Sequence, residues 1–141
     1  LIVSLSSFAS KPNEAINYIV TETDTMFVDD LHAGMLNLVA SLDNAKHKFT
    51  YEEVKAYSFN GRYYEKMELP TGKTAFMELV STRWNMRLFR YVHYQDKRWD
   101  VSGKLAGGEV VSYLVYQDGA FVVDVTDYNK DNLLELFGMK I

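Results

Sequence analysis

The chain has 141 residues, a formal net charge of −4 and no cysteine. That length suits one domain with a hydrophobic core of its own, so a single domain over residues 1–141 is expected. The acidic balance disfavours nucleic acid, whose phosphates repel such a surface. The absence of cysteine excludes disulfides, thiolate metal sites and cysteine nucleophiles.

Hydrophobic residues make up 48% and charged residues 24%, a globular balance rather than a disordered one. Ten Tyr and eight Phe suit pleated, half-buried surfaces and tilt the composition towards β. No apolar run is long enough to span a bilayer, so no transmembrane segment is expected. The first stretch, LIVSLSSFAS, allows two readings. Ser7-Phe8-Ala9 has the small-x-small form of a secretory cleavage site, which would make Leu1 to Ala9 a signal remnant. Alternatively, Leu1 to Leu5 is a first strand.

Pro12-Asn13 is a breaker, and Ile16 to Glu22 then reads as a strand with Thr23-Asp24 as its turn. Thr25 to Leu31 reads as the partner strand, after which Asp29, Asp30, His32 and Gly34 break the pattern. Met35 to Leu42 fits helical and strand spacing alike; its strand neighbours favour a strand, with Asp43-Asn44 as the turn. The clearest signal is Thr50 to Leu69, where two stretches rich in Val, Tyr and Phe flank Asn60-Gly61. Asn and Gly accept the positive φ that a tight hairpin needs. A two-residue loop sets Tyr57 opposite Tyr64, Val54 opposite Met67 and, unfavourably, Lys55 opposite Lys66. A three-residue loop would place Lys55 opposite Met67 instead.

Pro70-Thr71-Gly72 ends that ribbon. Phe76 to Val80 and Met86 to Tyr94 form the next pair, joined through Ser81 to Asn85. Gln95 to Gly108 is polar, holds three glycines and reads as a long loop with a short strand near Trp99 to Val101. Glu109 to Gln117 and Ala120 to Thr126 flank Asp118-Gly119, a second strong hairpin turn. Its two-residue register pairs Tyr116 with Phe121, Val115 with Val122 and Leu114 with Val123. Both faces are apolar, which points to a central ribbon covered on both sides. Over residues 129–138 the period becomes helical, with Asn129 as cap, Asp131 in the first turn, Gly138 as stop and a stripe of Leu133, Leu134, Leu136 and Phe137.

Several of these stretches carry a family likeness. They are Asn17 to Thr21 with Asp24-Thr25, Phe49 to Tyr64, Phe76 to Val80, Leu88 to Tyr91 and Tyr113 to Phe121. Together they make the chain resemble a set of uncharacterised secreted, β-rich proteins of Bacteroidota bacteria over roughly Asn17 to Phe137. The resemblance implies a secreted or periplasmic envelope location and a closing helix. It implies no catalytic residues.

The chemistry-bearing clusters are few. Asp29, Asp30 and His32 could begin a metal site but lack a third or fourth converging ligand, and a solvated loop is the plainer reading. His47 with Glu52 and Glu53, or Glu65 with Glu68, could pair for acid–base work. On strands Glu52 and Glu53 would point to opposite faces, and charged sheet edges explain them more simply. No recognised hydrolase, zinc, phosphate or dinucleotide fingerprint is present. Gly107-Gly108 precedes a strand rather than a helix and does not resemble a phosphate cradle. The sharpest stretch is basic and aromatic: Arg83, Trp84, Arg87, Arg90, His93, Lys97, Arg98 and Trp99. Such residues can grip an anionic polymer or a sugar by charge and stacking, and they are the candidate contacts for a glycan or an envelope protein partner. Alternation puts Arg83, Arg87 and His93 on one face and Trp84 and Arg90 on the other. The plainer reading is a solvated strand face plus a Trp filling the core.

The expectation is therefore a mainly β fold: an antiparallel curved sheet or partly closed barrel of hairpins, with one C-terminal helix. Its expected role is non-enzymatic, without cofactor or metal, in protein interaction at the envelope. The alternative is a β domain holding a small molecule or glycan in an aromatic-lined cavity.

Overall fold

The computed structural model describes residues 16–99 and 101–139. The expectations placed on Leu1 to Ala9 and on Pro12-Asn13 lie outside them. Tight reversals join antiparallel strands through most of the described chain, and a short helix follows near its end. The class is mainly β with a C-terminal helix, and among the described residues the strand orders do not close into a barrel. The chain divides into two compact units, Leu1–Lys66 and Met67–Ile141.

In the first unit β1 (Asn17–Thr21) pairs with β2 (Thr25–Val28). The Thr21 amide donates to the Asp24 carbonyl at 2.8 Å, so Glu22 and Thr23 form the apex, one residue before the expected turn. The expected continuation to Leu31 is broken at Asp29. Its carboxylate accepts from the Asp43 amide at 3.1 Å, and its carbonyl accepts from Asn17 Nδ2 at 3.2 Å. Tied to two neighbours, Asp29 separates β2 from β3 (Asp30–Ala33), so Asp30 and His32 lie in a strand rather than in a pattern-breaking loop. β4 (Asn37–Leu42) is a strand as expected, but starts later because Met35-Leu36 form a turn closed by the Gly34 amide on the Asn37 carbonyl at 2.9 Å.

Asp43 and Asn44, at φ 52° and 65°, then turn the chain into β5 (Ala45–Thr50), a strand the sequence reading missed. β3, β4 and β5 make a three-stranded sheet whose buried side presents Leu31, Leu38 and Ala40. Residues 51–53 are a turn, so strand alternation does not apply to Glu52 and Glu53. Next, β6 (Val54–Phe59) and β7 (Arg62–Glu68) meet across Asn60 and Gly61, at φ 52° and 79°. Two positive values are the signature of the two-residue hairpin turn. Tyr57 accordingly pairs with Tyr64, and the three-residue alternative falls. The lysines find other company: Lys55 Nζ lies 3.5 Å from the Glu22 carboxylate, and Lys66 Nζ donates to the Glu52 carbonyl at 3.3 Å. Strand order in this unit is β7-β6-β1-β2.

In the second unit Gly72, at φ 89°, donates to the Leu69 carbonyl at 2.9 Å and ends β7 where the Pro-Thr-Gly signal placed the break. β8 (Thr74–Arg83), β9 (Met86–Trp99), β10 (Leu105–Gln117) and β11 (Ala120–Asp124) follow in spatial order. The long loop expected over Gln95 to Gly108 is not there: β9 and β10 run through it. Gly107 and Gly108, at φ 103° and 84°, are absorbed in a bulge where the register shifts between Ala106 and Gly108. An extra residue in one strand bends a ladder without ending it.

The Asp118-Gly119 turn forms as expected and pairs Tyr116 with Phe121. Beyond that pair the register slips, so Val115 meets Val123 and Leu114 meets Asp124. Val122 is the extra residue. β10 lies between two strands, whereas β11 ends the order. Both faces of the β9–β10 pair are buried, one through Leu88 and Val115, the other through Phe89, Leu114 and Tyr116 beside Met67 and Met77.

The helix α1 (Lys130–Leu136) docks by Phe137, with Leu133 and Leu134, on Leu88 and Val115. Seven residues cannot hold a helix in water unaided, so docking sustains it. Asn129 stands at the N-cap without making the capping bond expected of it. Its side chain instead accepts from the Thr126 amide at 2.7 Å and donates to the Asp124 carbonyl at 3.0 Å. Gly138, at φ 71°, stops the helix as expected, with Gly138 bonded to Glu135 and Met139 to Leu134, the Schellman arrangement.

Candidate functional site

The basic and aromatic stretch does not assemble into one site. Arg83 and Trp84 sit at the β8–β9 turn, with the Arg83 guanidinium 4.7 Å over the Trp84 ring and its Nη1 donating to the Leu136 carbonyl at 3.1 Å. Arg87 lies 5.0 Å over the Phe89 ring. Arg90 faces the Glu78 carboxylate at 3.8 Å. His93 stacks on Tyr91 at 4.6 Å, with its Nε2 3.2 Å from Ser112 Oγ. Lys97, Arg98 and Trp99 occupy the other end of β9. At about 3.3 Å per residue, Arg87 and Arg98 are roughly 36 Å apart along the strand, too far to share a ligand of modest size.

The expected sharing of faces holds for Arg87 with His93, with Arg90 on the other side, but not for Arg83 or Trp84. Arg83 pairs across the turn with Met86, which puts it on the helix-covered face, opposite Arg87. Trp84 belongs to the turn and to neither face. Neither Trp fills a core: Trp84 and Trp99 are each 73% exposed. Trp84 also holds φ 54°, a left-handed conformation that is strained for a bulky side chain.

What the structure does gather is apolar surface on the far half of β9–β10. Among the described residues twelve large hydrophobic side chains are exposed, and six of them, Val92, Tyr94, Trp99, Val101, Leu105 and Val111, fall on this one ribbon. Trp99 and Leu105 are cross-strand partners, as are Val92 and Val111. β8 pairs with β9 over Met86 to Arg90, and β11 with β10 over Leu114 to Gln117. Lys97, Arg98 and Lys104 are exposed beside the apolar positions. Sequence reasoning named Arg98 and Trp99 but missed Tyr94, which it placed at a strand end, and Val101 and Leu105, which fell in the stretch expected to be a long loop.

A second feature lies within the first unit. A cleft of about 490 Å³ separates β3 (Asp30 to Ala33) from Tyr57, Phe59 and Tyr64. Tyr57 and Tyr64 stack at 4.9 Å with 17° between their planes. Burial, then the neighbouring phenols of Tyr51 and Tyr64, pushes the Tyr57 hydroxyl well above its ordinary pKa, so it stays protonated. Of the trio Asp29, Asp30 and His32, the Asp29 carboxylate accepts from the Asp43 amide at 3.1 Å. Among the described residues no group of three or more His, Asp or Glu could hold a metal ion. Glu65 accepts from the Tyr63 hydroxyl at 2.7 Å, and Glu68, three positions along the same strand, points to the other side. The alternation of Tyr57 and Phe59 beside the Asn60-Gly61 turn could have placed these rings on one face from sequence; β3 opposite them could not be foreseen.

Comparison with family models, with curated proteins and with solved structures finds no match. No helix among the described residues is long and apolar enough to cross a membrane.

Proposed function

We propose that this protein is a non-enzymatic binding domain that engages another protein through the far half of the β9–β10 ribbon, in a secreted or envelope compartment. The observation that supports the reading is the concentration of exposed Tyr94, Trp99, Val101 and Leu105 on one two-stranded element, beside Lys97, Arg98 and Lys104. Exposed apolar side chains gathered on one element mark contact sites, and Trp, Tyr and Arg dominate the energetics of protein interfaces. The partner that fits is a protein with an apolar pocket rimmed by carboxylates. The compartment rests on the family resemblance alone, and fractionation of the native host tests it separately.

A photo-reactive side chain placed at residue 99, with a control at residue 122 on the exposed β11 bulge, tests the contact in the native host. The reading expects one discrete protein adduct from residue 99, none from residue 122, and loss of the adduct when Arg98→Glu is added. Equal adducts from both positions, or none from residue 99, refute it. Once the partner is in hand, Trp99→Ala should weaken binding by about 2 kcal/mol, roughly thirtyfold.

A further inference from the structure

We infer that the cleft between β3 and the β6–β7 hairpin is a binding site for a neutral saccharide. Its two walls differ in chemistry. One is aromatic: Tyr57 and Phe59 alternate on β6 and so share a face, and Tyr64 joins them as the cross-strand partner of Tyr57. The other is polar: Asp30 and His32 both line the cleft and, two apart on β3, leave the strand on the same side, opposite the buried Leu31. Neither side chain makes a hydrogen bond or ion pair to another described residue.

The β3 backbone adds to the polar wall. The Gly34 amide bonds the Asn37 carbonyl, and alternation along an antiparallel pair then turns the peptide groups of Leu31 and Ala33 away from β4. Both residues line the cleft. A volume of about 490 Å³ falls within the range of small-ligand sites, which combine apolar lining with a few placed polar groups.

The chemistry selects among ligands. A sugar ring has apolar C–H faces that lie flat on aromatic rings, and hydroxyls that donate to a carboxylate and exchange hydrogen bonds with an imidazole. An organic cation would meet the rings favourably. However, Arg62, the cross-strand partner of Phe59, carries a like charge on the same face of the hairpin. An anion would meet the Asp30 carboxylate. A neutral polyol is opposed by neither. Hydrolysis of a bound glycoside usually needs two carboxyls across the bond, and among the described residues Asp30 is the one carboxylate lining this cleft, so the assignment is binding rather than cleavage.

The test is an array of neutral glycans probed with the intact chain, followed by saturation-transfer NMR with the best hit and, in parallel, with choline. A neutral saccharide should bind, with ring-proton contacts to tyrosine resonances. Asp30→Asn, an exposed and mild change, should weaken it at least tenfold, and Phe59→Ala likewise. Trp99→Ala should leave it unchanged, which separates this site from the ribbon contact. The inference is overturned if no neutral glycan binds, if choline binds and saccharides do not, or if Asp30→Asn has no effect while the tyrosine contacts persist.

Discussion

Removing the Phe137 ring tests how the helix is held. Phe137 is 7% exposed and packs with Leu88 and Val115, which are 0% and 1% exposed. A Phe→Ala change at such a site costs about 3–5 kcal/mol where the structure cannot collapse around the gap. The helix offers an escape from that cost, because its seven residues can leave the sheet and unwind. Undocking also gives up the bonds from Ser81 Oγ to the Phe137 carbonyl at 3.2 Å and from Arg83 Nη1 to the Leu136 carbonyl at 3.1 Å. At about 1 kcal/mol each, these add roughly 2 kcal/mol to the docking that is lost. Phe137→Ala should therefore lower stability by about 3 kcal/mol or more in urea denaturation. Hydrogen exchange should show amides 133–139 losing protection first, with the β9–β10 ladder keeping most of its own. A loss below about 1 kcal/mol, or a uniform loss of protection across β8 to β11, would sink the claim that this ring anchors the helix.

Two further expectations follow from backbone strain and from buried phenols. Trp84 occupies the first central position of a two-residue turn at φ 54°, where glycine is unstrained, so Trp84→Gly should raise stability by about 1 kcal/mol in urea midpoints; a fall of that size would show the Arg83–Trp84 contact to outweigh the strain. Burial raises the Tyr57 hydroxyl, and to a lesser degree Tyr116, above the ordinary value of 10.0. Below pH 10 both folded and unfolded phenols are neutral and stability is undiminished. Above it the unfolded phenol ionises first, so stability falls as pH rises from there through the folded-state pKa. Urea midpoints from pH 8 to pH 12 should be flat and then drop, and Tyr57→Phe should blunt the drop; an unchanged alkaline slope in that variant would refute the assignment.

Local chemistry decided the reversals. Asn60-Gly61, Asp118-Gly119 and Asp43-Asn44 are turns because these residues accept positive φ, and that preference acts within four residues of chain. Gly138 stops the helix for the same reason. Tyr57 opposite Tyr64 then follows by counting from the turn. A bulge escapes that count, because an extra residue such as Val122 is admitted only when the neighbouring ladder and core gain from it. Likewise Gly107 and Gly108 read as loop residues in isolation, yet β9 holds β10 straight through them. The sequence alone thus determined the β class, the hairpin turns and the closing helix. Only the tertiary structure decided that the basic cluster is strung along one strand, that Trp99 faces water, and that Asp30 and His32 line the same cleft as Tyr57. Those outcomes depend on which strands become neighbours, and pairing energies between distant segments are not written in either segment by itself.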